Sequence, residues 1–160
     1  MKRFIVLLVL VLIPAAILSA QSETPFFKKK YDPKADPAVD LKSAVIEAQH
    51  TGRNILLDVG GEWCIWCHRL DSLFLQNPDL SDFLVKNYVP LKINVDSKNR
   101  NKEFLAQFPE IEGYPHLFVL NSDGKLIHSQ ETGALEEGKH HSPEKMMTFL
   151  RKWAPRRQNQ

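Results

Sequence analysis

The 160-residue chain has two cysteines, Cys64 and Cys67, set three apart in the run Trp63-Cys64-Ile65-Trp66-Cys67-His68. Three chemistries can use such a pair. Two thiols one helical turn apart can pass between dithiol and disulfide and exchange with a disulfide in another molecule. With His68 following, the same residues spell C-x-x-C-H, the attachment pattern of c-type haem, for which Met146 or Met147 could supply a second axial ligand. Zinc is the third, held by Cys64, Cys67, His68 and one of His116, His140 or His141. Such zinc sites draw on a second well-spaced pair, and adjacent histidines such as His140 and His141 do not make one. As a staple the pair would do little, because it closes a very short loop and a chain of this size builds its own core.

The flanking sequence places the pair. Ile55-Leu56-Leu57-Asp58-Val59 reads as a buried strand that ends at Gly60-Gly61. From Cys64 to about Phe74, Leu70, Leu73 and Phe74 recur at helical spacing, so Cys64 stands where a helix begins. Unpaired N–H groups and the positive end of the helix dipole favour a thiolate there. Cys64 is therefore the expected nucleophile, with a depressed pKa, and Cys67 the resolving cysteine one turn on.

The other elements follow by the same reading. A helix is expected from Val39 to Thr51-Gly52 and a short one over Asp79 to Lys86, after the break at Asn77-Pro78. A strand is expected over Val89 to Val95, then a helix over Lys98 to Phe108. His116 to Leu120 is a strand, turned by Asn121-Ser122-Asp123-Gly124 into a hairpin with Lys125 to Ser129. Gly133 to His141 reads as a polar loop, and Ser142 and Pro143 open a last helix through Trp153. Strands separated by helices pair in parallel, and the hairpin adds an antiparallel edge. The expected fold is α/β, one mixed central sheet with helices on both faces, in a single domain over 39–154.

Residues 1–20 are set apart. Lys2 and Arg3 precede an apolar run from Phe4 to Ile13, Pro14 interrupts it, and small residues follow at Ser19, Ala20 and Ser22. This is the layout of a secretory signal peptide, cleaved after Ala20 or Ser22, and it points to a periplasmic or secreted protein. The alternative is an uncleaved anchor at the short limit for spanning a bilayer. Of the 21 basic and 19 acidic residues the leader holds two basic ones, Lys2 and Arg3, so the mature chain is balanced and offers no basic excess for nucleic acid. Residues 21–38, rich in Pro and Lys, read as an extended arm, and 155–160 as a tail.

Trp63-Cys64-x-x-Cys67, Asp58 six positions before the first cysteine, and Tyr114-Pro115 ahead of the hairpin together resemble the thioredoxin superfamily, over roughly residues 39–154. The Trp-Cys-x-Trp-Cys-His form looks most like the exported thioredoxin-like proteins of bacteria. The resemblance implies a thioredoxin fold and a protein disulfide oxidoreductase whose only redox group is the Cys64–Cys67 pair, with no further cofactor and no metal. It implies that Asp58 is buried beneath Cys67 as a proton relay and that Pro115 is the family's cis-proline. Tyr114 then offers backbone groups to a substrate strand, and Trp63 and Trp66 flank the site as aromatic contacts. Between the cysteines stand Ile65-Trp66, where the best-known thioredoxins have Gly-Pro and strong oxidants place a histidine before the second cysteine. That departure leans toward a reductase. The implied partners are protein thiols and disulfides, with a membrane thiol reductase as electron donor. A binding module that keeps the fold as scaffold, with Trp63, Trp66 and Tyr114 as a docking surface, is the non-enzymatic alternative.

Overall fold

Seven consecutive buried residues make Asn54–Gly60 the centre of the molecule as strand β1. The computed structural model describes residues 26–156. The expected leader and its cleavage site lie outside these residues, as does most of the 155–160 tail. Around β1 run β2 (Tyr88–Asn94), β3 (His116–Leu120) and β4 (Leu126–Glu131), in the order β2-β1-β3-β4. β1 pairs with β2 in parallel and with β3 antiparallel, and β3 pairs antiparallel with β4. The sheet is mixed, as the alternation of elements implied.

Side chains alternate across a strand, so β1 feeds two cores. Ile55, Leu57 and Val59 face α1 (Pro37–Thr51) and the short α4 (Lys102–Leu105), through Ala44, Ala48 and Phe104. Leu56 faces α2 (Ile65–Gln76), α3 (Pro78–Asn87) and α5 (Pro143–Trp153), through Leu70, Phe74, Leu84 and Met146. Asp58 shares the parity of Leu56, which aims it at the α2 layer. Helices thus cover both faces, and the fold is the thioredoxin fold.

Four stretches differ from the sequence-based expectation, each for a local reason. The first helix starts at Pro37, because Asp36 accepts from the backbone N–H groups of Ala38 and Val39 as N-cap. The expected helix from Lys98 to Phe108 shrinks to Lys102–Leu105. There the Asp96 carboxylate accepts the N–H groups of Lys98 and Asn99 at 2.7 Å each, and Asn101 turns left-handed at φ 47°. The expected loop over 133–141 is a 3-10 turn, Thr132–Leu135, capped by Glu131, then a small hairpin of β5 (Glu136–Glu137) and β6 (His140–His141) turned at Gly138 with φ 62°. Ser142 does precede α5, but its side chain makes no cap bond.

The fourth is the arm. Phe26–Lys28 forms a 3-10 turn, and Phe27 is buried, stacked on Phe74 of α2 with ring centroids 4.0 Å apart. Tyr31 is 2% exposed. These rings join the core from outside the expected domain. Phe27→Ala should therefore lower the unfolding free energy by about 3–5 kcal/mol in urea titration. A loss under about 1 kcal/mol would mean that the arm does not share the core.

Candidate active site

Cys64 is the N-cap of α2, with extended φ −91° and ψ 105°, and its Sγ accepts the backbone N–H of Cys67 at 3.1 Å. The next residue begins the helix, which brings Cys67 under the same turn. The two sulfurs are joined in a disulfide. Cys67 is fully enclosed and Cys64 is 4% exposed, so Cys64 is the more accessible of the two residues. A donor already aimed at Cys64 Sγ, at a helix N-terminus, stabilises the thiolate once the bond is reduced.

The strand before this turn ends in glycine for a steric reason. A Cβ at Gly60 would fall 2.5 Å from Cys67 Sγ and 3.0 Å from Tyr31 Oη. Sulfur and phenol oxygen thus converge on the space over Gly60. Two residues earlier in β1, Asp58 is 2% exposed, with Lys92 of β2 and Leu117 of β3 as its register partners. Tyr31 Oη donates to Asp58 Oδ1 at 2.8 Å, while Oδ2 is buried with no hydrogen-bond partner. Lys92 Nζ donates to both carboxylate oxygens of Asp71 on α2, at 2.8 and 2.6 Å, and lies 4.3 Å from the centre of the Tyr31 ring.

The electrostatics follow from this packing. Burial pushes the Asp58 carboxyl up to about 6, against the charge of Lys92 and the hydrogen bond from Tyr31, with a further upward push from Asp71. Burial likewise raises Asp71, opposed by Lys92. Burial and the neighbouring Asp58 hold the Tyr31 phenol well above its ordinary range, so it remains a donor.

The aromatic residues divide. Trp63 is 60% exposed, its Nε1 donates to the Val95 carbonyl at 2.6 Å, and its ring meets Tyr114 edge-on at 5.7 Å. Tyr114 packs against the cysteine pair, and the Tyr114–Pro115 peptide bond is cis. Trp66 is half-buried between the Arg69 guanidinium, 4.4 Å from its ring centre, and the His141 ring at 5.4 Å. Ile65, exposed beside Cys64, extends the apolar rim. A cleft of about 1100 Å³ opens next to Trp63 and Tyr114, floored by Val95, Phe108 and Ile111.

The rival chemistries find less here. His68 Nε2 is bonded to the Glu62 carbonyl at 2.9 Å, which ties the ring across the cysteine turn. Met146 is fully buried in the core and Met147 packs against it. Burial lowers His141 to about 4 and leaves both ring nitrogens without partners. Among the described residues, no three metal-ligating side chains gather.

Sequence reasoning missed Tyr31, Lys92 and Asp71, and named His141 only as a candidate zinc ligand. Lys92 gave a signal, a charge inside an apolar strand, and so did Asp71, which falls one helical turn after Cys67 on the face toward β1. Tyr31 gave none, since nothing in a Lys- and Pro-rich segment marks one residue as buried.

A strand, a cysteine-capped helix, a cis-proline and a hairpin in this order define a class. Residues 36–122, over half of the chain, match the thioredoxin-like family, and the chain belongs to it. Its fold is similar to the disulphide isomerase from Xylella fastidiosa Temecula1, at 30% identity and a TM-score of 0.67, covering 76% of this chain and 94% of that one. The oxidised C-terminal domain of Neisseria meningitidis DsbD shares the fold at 18% identity and a TM-score of 0.54, covering 77% of this chain and 98% of that one. In sequence, the chain is 25% identical over 123 residues to the Klebsiella pneumoniae thiol:disulfide interchange protein DsbD, 72% of this chain and 20% of that protein. It is 26% identical over 80 residues to the Chlamydia pneumoniae disulfide bond reductase DsbH, 45% of this chain and 48% of that protein. The chain thus matches half or less of the length of these curated relatives.

The buried carboxyl has a thermodynamic signature. Asp58 is protonated in the folded state up to about pH 6 but only to about 3.8 when unfolded, so the cost of holding back its ionisation is absent below that lower value. The cost develops as pH rises between the two values and is complete above the higher one. Asp58→Asn should be close to wild type in stability at pH 4 and more stable at pH 7, by about 2–3 kcal/mol. Urea unfolding of the oxidised proteins at both pH values measures this. A difference that does not change with pH would show that Asp58 is ionised freely in the folded protein.

Proposed function

We propose that this protein is a thiol–disulfide oxidoreductase of the cell envelope that reduces or exchanges disulfides in exported proteins. The observation that carries the reading is a disulfide-forming pair with Cys64 as the cap of α2 and Asp58 buried in the strand beneath. Similarity to proteins named for disulfide isomerisation, interchange and reduction supports the class of reaction. The apolar leader supports export. Ile65-Trp66 between the cysteines and the likeness to a disulfide bond reductase support the reducing direction. A membrane thiol reductase is the proposed electron donor.

The mechanism follows from the geometry. In the reduced protein the Cys64 thiolate attacks a client disulfide and forms a mixed disulfide, releasing the client's other sulfur as thiolate. Cys67 then attacks Cys64 Sγ, closing the internal disulfide, and the electron pair leaves on the client's second sulfur. The client disulfide is reduced and the Cys64–Cys67 dithiol oxidised. The Cys67 proton goes to the Asp58 carboxylate, a base matched to neutral pH by its burial. Trp63, Trp66 and Tyr114 with cis-Pro115 flank the sulfur and hold the client chain.

Alkylation of the reduced protein should modify Cys64 first, with a titration below that of free cysteine, and Cys67→Ser should accumulate a mixed disulfide on Cys64. Asp58→Asn should slow release of a model substrate from Cys64 by about 10²-fold in single-turnover kinetics. Equal labelling of the two cysteines would remove the assignment of nucleophile, and an unchanged release rate at every pH would remove Asp58 as base.

A further inference from the structure

Tyr31 precedes the stretch matched to the family, yet it sits among the reacting groups. Its ring packs with Cys64 and Cys67, its hydroxyl donates to Asp58 Oδ1 at 2.8 Å, and its backbone N–H donates to Glu62 Oε1 at 2.9 Å. That last bond ties the arm to the turn that carries the cysteines. A phenol has one proton to give, and here it goes to one oxygen of Asp58. Oδ2 has no partner although it is buried. The space over Gly60, where a Cβ would meet both Cys67 Sγ and Tyr31 Oη, is where the second sulfur and this hydrogen-bonded pair converge.

We infer that Tyr31 is a positioning residue of the resolving step: its hydroxyl holds Asp58 by Oδ1, leaves Oδ2 free to take the Cys67 proton, and sets the pH range over which Asp58 can do so. The inference rests on the reading of Asp58 as the proton acceptor. In the step itself the Cys67 S–H bond breaks as an O–H bond forms on Asp58. The Cys67–Cys64 S–S bond forms as the bond from Cys64 to the client sulfur breaks, and the client leaves as thiolate. Tyr31 keeps its own proton throughout.

The other charges around Asp58 come from each packed element. β2 contributes Lys92, which favours the carboxylate, and α2 contributes Asp71, which opposes it, while Glu62 of the cysteine turn bonds the Tyr31 backbone. Of these groups only Tyr31 donates a hydrogen bond to Asp58. A donor to the charged form lowers the pKa of a carboxyl, so removing it moves the proton acceptor to higher pH.

Single-turnover release of a model disulfide substrate from Cys64, followed from pH 5 to 9, tests this in full-length protein. Tyr31→Phe keeps the ring and removes the donor. It should move the midpoint of the release profile to higher pH by about one unit, the size expected for a hydrogen bond to a charged group. 3,5-Difluorotyrosine placed at position 31 keeps the fold and makes a stronger donor, and it should move the midpoint the other way. In the Asp58→Asn background, Tyr31→Phe should cause no further change, because the two residues act as one unit. A slowing by Asp58→Asn with profiles of both Tyr31 variants that superimpose on wild type would overturn the inference and leave the Asp58 reading standing. Equal, independent slowing by Tyr31→Phe in wild type and in Asp58→Asn would overturn it too. If Asp58→Asn leaves release unchanged, both readings fall.

Discussion

A carboxyl group buried mid-strand is costly, and the polar groups packed around Asp58 answer to that cost. Asp58 lies in the central strand with sheet on both sides and the α2 layer above it. Water cannot reach it, so the protein surrounds it with what water would have supplied. Lys92 brings compensating charge from the neighbouring strand, and Tyr31 brings a hydrogen bond from the arm. Lys92 is in turn buried and needs its own counter-charge, which Asp71 provides in a two-pronged contact. A buried ion pair of this kind seldom repays its desolvation in stability. What it accompanies here is a carboxyl that burial pushes up to about 6.

The cysteine turn is built to a complementary requirement. In the exchange proposed above, one sulfur must be reachable and inclined to ionise, and the other must be close and shielded. Capping the helix with Cys64 serves the first condition, because its sulfur faces a backbone N–H of the first turn. Glycine at position 60 meets the second, since any side chain there would occupy the place of Cys67 Sγ. His68, which by sequence alone invited a haem or zinc reading, fastens the turn by bonding the Glu62 carbonyl.

Much of this was readable in the chain, for reasons that differ by element. β1 was legible because it is an apolar run with a single charge, and α2 because Leu70, Leu73 and Phe74 keep helical spacing after a pair of glycines. Cys64, Cys67, Asp58 and Pro115 could be named since local order and family resemblance sufficed. What escaped depends on contacts between distant segments. Phe27 and Tyr31 stand among lysines and prolines, and their burial is decided by Phe74 and Asp58, more than 25 positions away. The truncation of the helix after Val95 hinges on whether Asp96 caps a turn or a helix, and its composition allows either. The hairpin at Glu136–His141 has two residues per strand, too few to show a period.

Where the family resemblance begins and where the working unit begins are different places in this chain. The shared core starts at residue 36, while the ring against Asp58 and the phenyl stack on α2 come from upstream. What fastens that segment to the core is the Phe27–Phe74 stack and the bonds from Tyr31 to Asp58 and Glu62. On the role inferred above for Tyr31, two relatives with identical cysteine turns but different upstream segments would run the same reaction at different acidity. A single replacement in that segment would then shift the operating pH while the cysteines and Asp58 stay as they are.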